Sequence, residues 1–148
     1  MKFIPPDYLL VFIGIQILMN YFFPIKDIIS FPLNLIGIPL IIVGVYLNLF
    51  WVADTFIKKE KTTTRPYEMP SKLVLYGPFK FTRNPTYFGM ALTLFGIALL
   101  LGSLITFIIP IIFIVLTSIF TIPIEEKNLE KKFGKKYLEY KKKVRRWI

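Results

Sequence analysis

Two short stretches of this chain carry the residue types that chemistry needs. The first is Tyr76-Gly77-Pro78-Phe79-Lys80-Phe81-Thr82-Arg83-Asn84-Pro85-Thr86-Tyr87-Phe88-Gly89, in which a guanidinium, a carboxamide and a phenol follow one another. The second is the adjacent carboxylate pair Glu125-Glu126. Both stand at the ends of long uncharged runs, where ionisable groups facing a helical bundle are candidates for function. Each also has a plainer reading. Arg83 can snorkel towards lipid phosphates, the two glutamates can cap a following helix, and Pro85, Tyr87 and Gly89 can simply start a helix that packs closely. The chain has no Cys and no His. That removes disulfides, thiolate nucleophiles, Cys/His metal sites and every triad that needs an imidazole. Proton transfer falls to carboxylates, Lys, Tyr or the substrate itself, and no metal site is expected.

The elements that must position these groups are apolar. Of 148 residues, 55% are hydrophobic and 17% aromatic, with a mean hydropathy of +0.59. A soluble domain sits near ~45–50% apolar. The length fits one domain, read as a single unit over residues 1–148. Uncharged runs cover Tyr8–Phe23, Leu33–Ala53 and Tyr87–Ile124. The last is too long for one span of ~20 residues and about right for two, with Gly102-Ser103 as the turn between them. The first run could be a secretory signal, since Lys2 precedes it, but no small-residue cleavage site follows. The expected fold is therefore all-α and integral to the membrane. Spans fall at about 8–24, 33–54, 86–101 and 104–124, the last two forming a helical hairpin. A loop covers 58–85, too long for a plain connector.

Charge then sets the orientation. With four spans, the N-terminus, the 58–85 loop and the tail share one face, which holds every one of the 19 Lys and Arg except Lys26. The positive-inside rule makes that face cytoplasmic. A multi-pass cell-membrane protein with both termini and its site towards the cytoplasm follows. Such a basic face meets anionic lipid before nucleic acid, so membrane lipids are expected partners and nucleic acid is not. In the tail, Leu129, Phe133, Tyr137, Tyr140, Val144 and Trp147 fall on one helical face. This predicts one amphipathic helix over about 125–144, either as an interfacial anchor or as a lid over a site between the helices.

The order and spacing of these motifs are similar to a known family. Gly77 to Gly89, then Glu125-Glu126-Lys127-Asn128-Leu129 after the hairpin, then Phe133-Gly134-Lys135-Lys136-Tyr137 and Tyr140, resembles the isoprenylcysteine carboxyl methyltransferase family. These are integral membrane enzymes that use S-adenosylmethionine and are related to the phospholipid N-methyltransferases. The resemblance runs from Leu73 to the C-terminus, while the first two runs match only in being hydrophobic. It implies Arg83 and Glu126 as catalytic residues, Arg83 pairing with the cofactor carboxylate or orienting an anionic acceptor. It implies Asn84 at the methionine end or the adenine, and Glu125 or Glu126 on the ammonium or ribose hydroxyls. Tyr87, Tyr137 and Tyr140 would pack on adenine or face the sulfonium. Gly77 and Gly89 would allow close approach, with Phe79 and Pro85 completing the cofactor-binding set. Two departures stand out: Asn84 where many relatives have His, and Lys143 where they often have Arg.

Methyl transfer from a sulfonium asks mainly for alignment and exclusion of water. A carboxylate or thiolate acceptor needs no general base, which favours those over an amine or alcohol in a chain without His. The acceptor implied is lipophilic or small, reaching the site from the bilayer. Two other classes remain open: an NADPH-dependent membrane reductase of similar architecture, and a non-catalytic membrane scaffold.

Overall fold

The computed structural model describes residues 5–23, 25, 27–53, 55 and 70–148, and it is all-helical among them. Lys2, Lys26, Pro24 and the first part of the 58–85 loop, with Lys58, Lys59, Lys61, Arg65 and Pro66, lie outside the described residues.

Helix α1 (Pro5–Phe22) lies over the first uncharged run. A 3₁₀ turn (Leu33–Ile36) leads into α2 (Gly37–Tyr46), which continues as a π-helical turn (Leu47–Val52). Together they make one apolar rod of 20 residues, Leu33–Val52. Helix α3 (Pro85–Leu101) starts on Pro85, whose missing N–H is no loss at the first helical position. It stops at Gly102, whose φ of +71° suits the residue without a Cβ. After a 3₁₀ turn (Leu104–Phe107) come α4 (Ile108–Leu116), a π-helical turn (Thr117–Thr121) and α5 (Ile122–Phe133). These run on as a second rod, Leu104–Phe133, of 30 residues.

Both rods are long and apolar enough to cross a membrane, while α1 and α3 are shorter apolar helices. Leu10, Phe22, Ile42, Leu49, Phe50, Ile119 and Phe120 all lie more than half exposed. So much outward-facing hydrocarbon suits lipid rather than water, and helices satisfy their backbone internally as lipid requires.

The tail corrects one expectation. The single helix over about 125–144 is in fact two pieces. Helix α5 is the end of the second rod, Gly134 breaks the helix at φ +51° and ψ −127°, and α6 (Lys135–Lys143) leaves in a new direction. Val144 is extended, so Val144 and Trp147 are not on the helical stripe that their spacing suggested.

Close packing holds α2 to α3. Gly37 lies against Gly96 and Gly44 against Gly89, an antiparallel pairing of two seven-residue spacings. A Cβ on Gly96 would stand 2.7 Å from Gly37 O, and one on Gly89 would stand 2.9 Å from Gly44 O. Small residues let two backbones approach where no hydrophobic effect drives helices together. On the other side of α3, Tyr87, Met90, Ala91 and Leu94 pack with Ile109, Phe113 and Ile122. Phe12 of α1 closes this core edge-to-face on Phe113 at 5.3 Å. Gln16, fully buried on α1, donates from Nε2 to Leu94 O and Thr106 O, both at 3.1 Å, and so staples α1 to the hairpin. The hairpin turn is itself pinned, with Ile28 N–H donating to Gly102 O and Ser103 Oγ to Ile25 O.

Candidate functional site

The start of α3 and the end of the second rod come together at one end of the bundle, and the C-terminal segment folds back over both. Arg83 is at the centre, its side chain only 9% exposed. Nη2 donates to Glu126 Oε1 at 2.7 Å, and Nη1 donates to Lys141 O at 2.9 Å and Val144 O at 3.1 Å. Nε is buried and has no partner among the described residues.

Glu126 is the matching centre of negative charge, its side chain 6% exposed. Besides Arg83 it receives Arg146, whose Nη2 donates to Oε2 at 2.9 Å and whose Nε lies 3.4 Å from Oε1. Lys141 Nζ adds a looser contact at 3.5 Å and pairs more closely with Glu130, at 2.6 Å. A carboxylate buried this deeply needs such compensation.

The backbone completes the arrangement. Arg83 N–H donates to Arg145 O at 3.0 Å. Thr82 Oγ1 and Asn84 Nδ2 both donate to Arg146 O, at 3.0 Å and 2.9 Å. Arg146 Nη1 and Trp147 Nε1 reach Ser118, on the π-helical turn, at 3.4 Å and 3.1 Å. Tyr140 OH donates to Phe79 O at 2.7 Å, tying α6 to the 3₁₀ turn Gly77–Lys80. The rings of Tyr137 and Tyr140 lie 6.0 Å apart.

Burial pushes the Tyr137 hydroxyl well above its usual range, and the Glu126 charge pushes it the same way. Burial raises Tyr140 likewise, with Tyr137 adding to it. Both are neutral phenols at physiological pH, able to donate a hydrogen bond but not to serve as bases.

Of the residues singled out in the sequence, the fold gathers Phe79, Arg83, Asn84, Glu126, Tyr137 and Tyr140 into this cluster. Glu125 lies one residue away on α5 and accepts from Tyr87 OH at 2.7 Å through Oε1. Three others serve packing. Gly89 sits in the α2–α3 seam, where a Cβ would stand 2.5 Å from Asn48 Nδ2. Pro85 is buried as the first residue of α3. The Tyr87 ring is 3% exposed, inside the core. Gly77 turns at φ +64° against Trp51 and Thr55.

Arg146, Lys141, Thr82 and Ser118 are the contributors that spacing did not reveal. Arg145-Arg146 beside Trp147 was the available signal, hidden within a lysine-rich tail.

The phospholipid methyltransferase family model matches residues 33–136, from the start of the first rod into α6. The chain belongs to that family, which includes the isoprenylcysteine carboxyl methyltransferase-like membrane methyltransferases. A Haemophilus influenzae protein, described only as uncharacterized, is 55% identical over 38 residues. That stretch is 26% of this chain and spans 60% of the length of the curated relative. The matched region contains Arg83, Glu125 and Glu126. Tyr137, Tyr140 and Arg146 lie just beyond it.

Proposed function

We propose that the protein is a membrane-embedded methyltransferase that transfers a methyl group from S-adenosylmethionine to a lipophilic or small acceptor, with a carboxylate or thiol favoured. The observation that carries this reading is the meeting of the Arg83-Asn84-Pro85 start of α3, the Glu125-Glu126 pair and Tyr140 at one end of the bundle. The residues present suit the donor's charged end. Arg83 Nε is a buried N–H with nothing to donate to among the described residues, and Glu125 stands nearby as a carboxylate held by Tyr87. The carboxylate of an amino-acid end would satisfy Arg83, and its ammonium would pair with Glu125.

Bound there, S-adenosylmethionine supplies a methyl group activated on a sulfonium. The chain's own part is alignment and exclusion of water. Arg83 and Glu125 hold the charged end, Asn84 offers its carboxamide oxygen, and Tyr137 and Tyr140 wall the site as neutral phenols. Since those phenols do not act as bases, an acceptor that is already anionic suits the site best.

Four membrane crossings accord with this reading. The 18 residues of α1 and 17 of α3 rise about 25–27 Å, close to a thin bilayer's hydrocarbon core. Lys72, Lys80, Arg83 and the cations of the tail gather at the site's end, which the positive-inside rule assigns to the cytoplasm. A lipophilic acceptor then enters from the bilayer, and the donor from the cytosol.

The test is thermal stabilisation of the detergent-purified chain by S-adenosylmethionine or S-adenosylhomocysteine, with NADPH alongside. A ligand at ~100 times its Kd stabilises by about 2.7 kcal/mol, a readily visible shift. Stabilisation by NADPH alone would transfer the reading to a reductase, and no shift with any of the three would favour a scaffold.

A further inference from the structure

The C-terminal segment is more than a cover. Arg83 has five N–H donors in a planar fork, and the chain itself occupies both of its Nη groups. Glu126 takes Nη2, while the carbonyls of Lys141 and Val144 share Nη1. Nε is the one guanidinium nitrogen left without any partner among the described residues, and it is buried. The direction in which it points therefore depends on what holds the rest of the fork.

Arg146 is the residue that fixes this. Its guanidinium takes Glu126 Oε2, the oxygen Arg83 does not use, and also reaches Oε1. Its main-chain carbonyl accepts from Thr82 and Asn84, the two neighbours of Arg83 in sequence. Its third nitrogen and the next side chain, Trp147, are anchored on Ser118. A carboxylate gripped by one guanidinium alone is free to turn and draw that guanidinium into a two-pronged pair, because the fork–fork geometry is the stronger one. With Arg146 on Oε2, Glu126 offers Arg83 one oxygen only.

We propose that Arg146 is a positioning residue for Arg83: by holding Glu126 through Oε2 and anchoring residues 82–84, it leaves Nε–H of Arg83 directed at an anionic group of the ligand. Resting on the methyltransferase reading above, that group is the carboxylate of the donor's amino-acid end. Arg146 itself does not touch the ligand.

Two probes separate this role from a merely structural one. S-adenosylhomocysteine carries the amino-acid end, and 5′-methylthioadenosine lacks it. Affinities for both are measured by calorimetry on the detergent-purified full chain and on R83A, R146A, R146K and the R83A/R146A double variant. Losing an ionic hydrogen bond costs about tenfold or more in affinity. R83A and R146A are each expected to weaken S-adenosylhomocysteine by about that factor while leaving 5′-methylthioadenosine unchanged. The double variant should be no weaker than R83A, since both act through one contact. R146K, which keeps the charge but not the two-pronged grip, should fall between wild type and R146A.

Three results overturn the proposal: R146A binding S-adenosylhomocysteine as wild type does, R146A losing both probes equally, or the two single losses adding in the double variant. Should the wild-type chain bind neither probe, it is the methyltransferase reading that fails instead.

Discussion

Arg83 Nη2 and Glu126 Oε1 lie 2.7 Å apart, joining the start of α3 to α5 across 43 positions of sequence. Neither group is worth burying alone. The pair, with Arg146 closing it, turns two helix ends and a chain terminus into one unit.

Glu126 consequently has a structural role that its position beside Glu125 did not suggest. The resemblance makes Glu126 a residue of the reaction, and its grip on Arg83 and Arg146 gives it weight in the fold as well. Glu126→Gln would leave Arg83 and Arg146 facing each other without their shared anion. Breaking a buried pair in this way costs ~3–5 kcal/mol. A clear drop in the thermal midpoint, with faster proteolysis after α6, is the expected result. Glu125→Gln keeps an acceptor for Tyr87 and should shift the midpoint much less, which places the two glutamates in different roles.

Tyr140 ties α6 to the Gly77–Lys80 turn through its hydroxyl on Phe79 O. Tyr140→Phe removes that bond and is expected to destabilise by ~1 kcal/mol. The sign of the pH effect follows from the raised values. A phenol more reluctant to ionise when folded contributes stability that is complete below its ordinary value of 10.0 and is lost as the pH climbs from there towards the folded-state value. Unfolding curves of wild type and of a Tyr137→Phe/Tyr140→Phe double variant should therefore diverge with pH only above about 10, the wild type falling more steeply.

The α2–α3 seam makes a prediction that activity does not enter. Gly44 has no room for a Cβ, which would come within 2.5 Å of Gly89 O. Gly44→Ala must push the backbones apart, at an overpacking cost of ~1–3 kcal/mol. Gly14, with nothing within 4 Å of its added Cβ, is the control. A Gly44→Ala midpoint equal to that of Gly14→Ala would refute the close-packing account.

How much of this was legible beforehand depends on the kind of signal. The helices lie on runs that any hydropathy reading finds, and Gly102 stands out as a turn because it interrupts an otherwise unbroken apolar stretch. The approach of Arg83 to Glu126 was accessible only through the family resemblance, since no local rule joins residues so distant in sequence. Gly89 and Gly96 are small residues seven positions apart, a type suited to close packing. That they pair with Gly44 and Gly37 inside the chain is a long-range fact that spacing does not carry. Arg146 was hidden for a different reason. The stripe from Leu129 to Trp147 keeps helical spacing straight through Gly134, so the periodicity reads on where the backbone turns.

That turn gives the last prediction. Gly134 adopts φ +51° and ψ −127°, a region closed to residues with a Cβ, although nothing lies within 4 Å of where that Cβ would be. The obstacle is conformational and not steric crowding from neighbours. Gly134→Ala must either accept strain of about 1–3 kcal/mol or straighten into a continuous helix, which alanine favours over glycine by ~1 kcal/mol. A straight helix would carry Tyr140 away from Phe79, and Arg146 away from Glu126 and Asn84. Both routes loosen the clamp, so hydrogen exchange at the amides of residues 136–147 should speed up in Gly134→Ala while the amides of α3 stay protected. Replacement by D-alanine through semisynthesis accepts positive φ and should restore wild-type exchange. Faster exchange in both substitutions alike would show that the backbone conformation of Gly134 is not what seats the C-terminal segment.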